Sequence, residues 1–123
     1  MIATNIKTSK CPIFESAGLV GKKWTIALLQ EISANGDRGF NYIFRRLGKI
    51  SPKILSRRLR EMEVSGIIER DISRNKAPAR AKYKVTEKGA ELQKIIGQLR
   101  KWQIKYSKEK FECSQDCVSC QLY

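Results

Sequence analysis

Three cysteines near the end of the chain, Cys113-x3-Cys117-x2-Cys120, have a spacing that suits thiolate ligation of a metal, and a fourth, Cys11, lies near the start. No histidine is present, which removes both the usual general base and the commonest metal ligand. Three uses of the sulfurs stand side by side. Cys11, Cys113, Cys117 and Cys120 together hold zinc or an iron–sulfur cluster; or one of them senses oxidants or electrophiles; or all four are idle thiols.

The second chemically distinctive set is cationic. Lysine and arginine number 25 against 12 acids, a formal net charge of +13. Residues 38–84 hold fourteen of the cations and four of the acids, so most of the excess lies in one continuous stretch. A solvated surface intersperses its charges, and a concentrated excess points to nucleic acid. An acidic membrane is a poorer match, because no segment joins a large apolar face to a lysine-rich one.

The elements that must position these cations follow from caps and periodicity. In Ile50–Arg70, ISPKILSRRLREMEVSGIIER, Ser51 suits the N-cap of a helix and Pro52 its first turn. Leu55, Leu59 and Met62 recur on one helical face, while Lys53, Arg57 and Arg60 fall on another. Gly66 stops the helix, and Ile67, Ile68 and Ile72 suit a strand. A short helix with cations opposite an apolar stripe is what the DNA major groove accepts. Arg57 is the first candidate for reading a base, since arginine bidentate to guanine is the commonest specific contact. Lys53 and Arg60 suit base edges or flanking phosphates, and Ser51 and Ser56 can donate to phosphate. Arg58 rotates towards the flank. Arg45, Arg46 and Lys49, just before the helix, are placed to hold phosphates.

Upstream, residues 1–10 read as a polar arm. A helix is expected from Pro12 to Leu19, with Ile13, Phe14, Ala17 and Leu19 available for burial. A second covers Lys23 to Ala34 with a stripe of Trp24, Ala27, Leu28 and Ile32, broken by Asn35-Gly36-Asp37. A third runs from Phe40 to Leu47. Gly48-Lys49-Ile50 turns it into the basic helix, which is the helix-turn-helix layout. Trp24 and Phe40 sit at core spacing, so burial is expected rather than base stacking.

Downstream, strands over 67–73 and 80–86 flank a basic tip, Arg74-Asn75-Lys76-Ala77-Pro78-Ala79. Arg74, Lys76 and Arg80 of this wing are placed to reach the DNA backbone or minor groove. A helix from Glu87 to Lys110 carries Leu92, Ile95, Ile96, Leu99, Trp102 and Tyr106 at three-and-four spacing, a seam for a partner helix. The expected fold is α+β, mainly α: a winged helix-turn-helix with added N- and C-terminal dimerisation helices. It spans residues 11–110 as one domain, ahead of a cysteine-containing tail at 111–123. A small domain with such exposed helix faces favours dimerisation.

Other classes fit less well. No nucleotide loop of the Gly-x4-Gly-Lys type is present, and no serine or cysteine has an evident base partner, so a binding protein is expected rather than an enzyme. The start MIATNIKTSK lacks an apolar signal region and no apolar run approaches a membrane span, so a cytoplasmic protein with no membrane partner is expected. A non-specific architectural nucleic-acid protein, or a small metal or redox protein using the tail, are the alternatives to a site-specific regulator.

Cys11-Pro12, Gly21-Lys22-Lys23-Trp24, Phe40, ISPKILSRRLREME, Gly66-Ile67-Ile68-Glu69-Arg70, Pro78, Tyr83-Lys84-Val85-Thr86-Glu87-Lys88-Gly89, Leu99 and Trp102 occur in an order that resembles the HxlR family of transcriptional regulators, relatives of MarR-type winged helices. Each piece is weak alone; the ordered set, over residues 11–106, is specific. The resemblance implies a homodimer on double-stranded operator DNA, with the first and last helices at the interface. It also implies a cysteine at the Cys11 position, through which some members sense oxidants or electrophiles. The tail cysteines lie outside the shared pattern.

Overall fold

The computed structural model describes residues 11–36, 38–71 and 81–108. In chain order the elements are α1 (Pro12–Val20), α2 (Thr25–Ala34), β1 (Arg38–Gly39), α3 (Phe40–Leu47), α4 (Pro52–Val64), β2 (Ile68–Asp71), β3 (Lys82–Val85) and α5 (Glu87–Tyr106). The strands form an antiparallel sheet in the order β1-β3-β2, with Ile68 opposite Val85 and Arg38 opposite Tyr83. Helices α3 and α4 are the helix-turn-helix, and β2 and β3 are the base of the wing.

The core lies where the sequence periodicity puts it. Leu28, Leu29 and Ile32 of α2, Ile43 and Leu47 of α3, and Leu55, Leu59 and Met62 of α4 are all buried and meet Ile67, Ile68 and Tyr83. Ser51 caps α4 as expected, its Oγ accepting the Ile54 N–H at 3.2 Å. Gly66, at φ 85°, turns the chain from α4 into β2.

Three expectations need correction, and one short element, β1, is added to those expected. Helix α2 starts at Thr25, not Lys23, because Trp24 adopts a left-handed backbone with φ 82°. That conformation costs an L-residue about 1–2 kcal/mol, and the half-buried Trp24 ring packing on the core offsets it. Ile13 and Phe14 are not buried within the protomer; they are 74% and 79% exposed. The two-residue strand β1 has too little sequence to show alternation, and its pairing with β3 supplies its only regularity. Helix α5 ends at Tyr106, where Ser107 turns extended, rather than at Lys110.

Of the α5 seam, Leu92 and Ile96 pack on the protomer's own core, while Ile95, Leu99, Trp102 and Tyr106 face outward. Among the described residues no helix is long and apolar enough to cross a membrane. The expected arm at 1–10, the wing tip at 74–79 and the tail at 111–123 lie outside the described residues.

Candidate nucleic-acid interface

Helix α4 presents two chemically different faces. Leu55, Leu59 and Met62 are buried, which fixes the rotation of the helix and turns Lys53, Ser56, Arg57 and Arg60 into solvent, with Ser51 exposed at its start. Its backbone N–H groups at that start add to a site for an anion. The arrangement gives a polar, cationic ridge on a rigid scaffold.

Arg58 is on the same helix but does other work. Its side chain is only 16% exposed. Its Nε donates to the Lys23 carbonyl oxygen at 3.0 Å, and its other guanidinium nitrogen pairs with Glu61 at 3.1 Å. Lys22 donates to the second Glu61 oxygen at 3.0 Å. Partial burial pushes the Glu61 carboxyl up, but the hydrogen bond and charge of Lys22, and those of Arg58, outweigh it. The group is held below its ordinary value.

Arg46 is likewise committed to the scaffold. It pairs with the buried Glu31 at 3.1 Å, and Asn35 donates to the other Glu31 oxygen at 2.8 Å. A buried carboxylate is tolerable only with such partners. Arg45 and Lys49 remain exposed.

The C-terminal end of α4 is fastened to α5. Lys88 Nζ donates to the Ser65 carbonyl at 2.6 Å, and Thr86 donates its hydroxyl to Gly66 O and its N–H to Ile67 O. Across the hairpin, Glu69 and Lys84 pair at 3.6 Å and Asp71 stands opposite Lys82. Burial raises the Tyr83 phenol above its ordinary value, and nearby Arg70 opposes the rise. The base of the hairpin, β2 against β3, is therefore firmly registered. Arg74, Lys76 and Arg80 themselves lie outside the described residues.

One cation escaped the sequence reading. Arg38 lies over the Tyr42 ring at 4.7 Å, at the junction of β1 and α3 and on the exposed side. Its only sequence signal is a spacing of four residues from Tyr42, which is weak before the helix start is known.

Cys11 is exposed at the N-cap of α1, where its side chain makes no capping bond. Cys113, Cys117 and Cys120 lie outside the described residues. Among the described residues no group of three or more His, Cys, Asp or Glu side chains is placed to hold a metal.

A sequence model of HxlR-like helix-turn-helix proteins matches residues 19–111. The chain belongs to the HxlR-like family. It is 36% identical over 97 residues to the uncharacterized HTH-type transcriptional regulator YvaP of Bacillus subtilis, covering 78% of this chain and 88% of that one. It is also 36% identical over 93 residues to the HTH-type transcriptional regulator YodB of Bacillus subtilis, covering 75% of this chain and 81% of YodB. Among solved structures, the reduced form of YodB matches with a TM-score of 0.66 at 33% identity, over 81% of this chain and 97% of that one. The redox regulator HypR in its reduced form matches with a TM-score of 0.65 at 28% identity, over 77% and 92%. YodB is also known in diamide-treated and quinone-bound forms. This HxlR-like protein is thus a transcriptional regulator with a winged helix-turn-helix fold, and its relatives are regulators rather than enzymes.

Proposed function

We propose that this HxlR-like regulator acts as a homodimer that reads an inverted-repeat operator. Lys53, Arg57 and Arg60 enter the major groove, Ser51 and Ser56 bind phosphate, and Arg74, Lys76 and Arg80 of the wing hold the backbone or minor groove. The observation that carries this reading is the division of labour on α4: Arg58 is tied to the scaffold while its neighbours Arg57 and Arg60 are turned out. The dimer is supported by apolar side chains that the protomer leaves uncovered. Ile95, Leu99 and Trp102 on α5 are 54–63% exposed, and Ile13 and Phe14 on α1 more so. Tyr106 extends the same helix face, and Leu92 and Ile96 root it on the core.

Selection from a randomised duplex pool tests this. The expected product is an inverted repeat with half-sites about one helical turn, roughly 34 Å, apart. Affinity should fall steeply with salt, with a log–log slope of about −0.9 for each phosphate neutralised. Lys76→Ala should weaken operator and random DNA alike. Equal affinity for random and selected duplexes would instead make the protein architectural.

A second reading concerns the signal. Its support is the exposed Cys11 at the head of α1, together with one relative, YodB, described in reduced, diamide-treated and quinone-bound forms. In this reading DNA is released when an electrophile alkylates the Cys11 thiolate, or when diamide takes two electrons and two protons from Cys11 and a second thiol as these join in a disulfide. Diamide should lower operator affinity by at least about tenfold, about 1.4 kcal/mol, and Cys11→Ser should bind operator yet ignore diamide. A Cys11→Ser protein that still responds, and that carries about one zinc or cluster per chain lost on Cys117→Ser, would move the switch to the tail.

A further inference from the structure

The two outer helices are fastened to the recognition helix at different points of its second half. At the α5 side, Lys88 and Thr86 hold the turn after α4 at Ser65 and Gly66. At the α1 side, the short corner 21–24 reaches α4 through Lys22 to Glu61 and through the Lys23 carbonyl to Arg58. Glu61 is the centre of that corner, because one oxygen takes Lys22 and the other takes Arg58 on its own helix.

Helix α1 depends on this corner for its position. It has no buried residue, and within it only Leu19 and Val20 are half covered. Beyond the corner an open groove separates the helices, with Phe14 and Leu19 on one wall, Val64 on α4, and Leu92 and Ile95 on α5. Apolar packing therefore leaves α1 loosely placed, and the directional contacts that orient it against α4 are polar. They also lie on the flank of α4, one helical step from Arg57 and Arg60, and do not occupy its DNA-facing side chains.

We infer that Lys22, Glu61 and Arg58 form a latch that sets the pose of the recognition helix relative to α1, so that these three are positioning residues for operator reading and not DNA contacts. The inference rests on the dimeric operator reading above. A latch of this kind fixes how far apart and at what angle two recognition helices are presented. It leaves the chemistry of each helix with its own half-site unchanged.

The test uses the full chain and the duplex it selects, together with repeats whose half-site separation is lengthened or shortened by single base pairs, and a duplex with one half-site. Glu61→Gln keeps the shape and removes the charge facing Lys22 and Arg58. It is expected to bind the single half-site within about twofold of the parent and to keep the parent's salt slope. On the preferred repeat it should lose about tenfold, and its preference among separations should flatten. Lys22→Met, a change outside α4, should give the same pattern. The pair is partly exposed, so melting temperature should drop by no more than about 3 °C. A merely structural role would lower the folded fraction and reduce binding to every duplex in proportion. Proportional losses, or no loss on the repeat, overturn the latch while leaving the operator reading intact. A parent with no preference among duplexes overturns both.

Discussion

Arg57→Ala is expected to erase discrimination at one base position in each half-site while the protein stays folded. The side chain is exposed on the outward face of α4, so its removal opens no cavity and strands no buried partner. A bidentate arginine–guanine contact is worth about 1–3 kcal/mol against the wrong base. Two half-sites in a symmetric dimer double that, so operator affinity should fall on the order of a hundredfold or more. Random DNA, where Arg57 offers only charge, should lose a few-fold. Competition with operators permuted at each position checks this: the parent discriminates at the contacted base and the variant treats all four bases alike there. Equal losses on operator and random DNA would demote Arg57 to a phosphate contact. Arg58→Ala should behave differently, because its guanidinium is spent on Lys23 and Glu61 and its loss acts through the pose of the helix.

The contrast between these adjacent arginines shows what a sequence carries and what it does not. The rotation of α4 was legible because several signals agree: the Ser51 cap, Pro52 in the first turn, the Leu55-Leu59-Met62 stripe and the Gly66 stop. From that rotation the outward set Lys53, Ser56, Arg57 and Arg60 follows directly, and Arg58 falls on the flank. That Arg58 meets a backbone carbonyl 35 positions earlier is a tertiary fact, and no local period encodes it. The same holds for Trp24. The run Gly21-Lys22-Lys23-Trp24 contains no helix breaker after the glycine, yet the corner needs a left-handed residue before Thr25.

Arg46 was closer to being legible. Glu31 interrupts the apolar run of α2 at a buried position, and a buried carboxylate needs a cationic or hydrogen-bonding partner. A buried glutamate thus calls for a polar partner from elsewhere in the chain; only the fold says that Asn35 and the still-exposed Arg46, fifteen residues on, supply it. For Ile13, Phe14 and the outer face of α5, periodicity identified side chains that water should not cover. It does not say which chain covers them, and among the described residues Ile13 and Phe14 stay 74% and 79% exposed. Burial expected from an apolar pattern is a statement about the assembly.

Gly89→Ala should be the most destabilising small substitution on the scaffold, against the direction that helix propensity gives. In an exposed helix interior, alanine is favoured over glycine by about 1 kcal/mol. Gly89 is instead buried in the first turn of α5, where its N–H donates to the Thr86 hydroxyl at 3.1 Å. A Cβ there would overlap the Ile67 carbonyl oxygen and stand 2.7 Å from Val85 Cγ1. The Ile67 carbonyl cannot simply retreat, because it accepts the Thr86 N–H at 3.1 Å and belongs to the turn that ends α4. Overpacking costs about 1–3 kcal/mol, and with backbone as the obstacle the upper end applies, so melting should fall by roughly 10 °C. DNA binding should fall with it, since α5 is one of the elements that hold the recognition helix. Gly97→Ala is the control, because a Cβ at Gly97 meets nothing within 4 Å in the protomer. There the propensity gain should appear as a rise of a few degrees. A fall at Gly97 would mean that further chain lies against that face of α5, since no atom of the described residues is near enough to object.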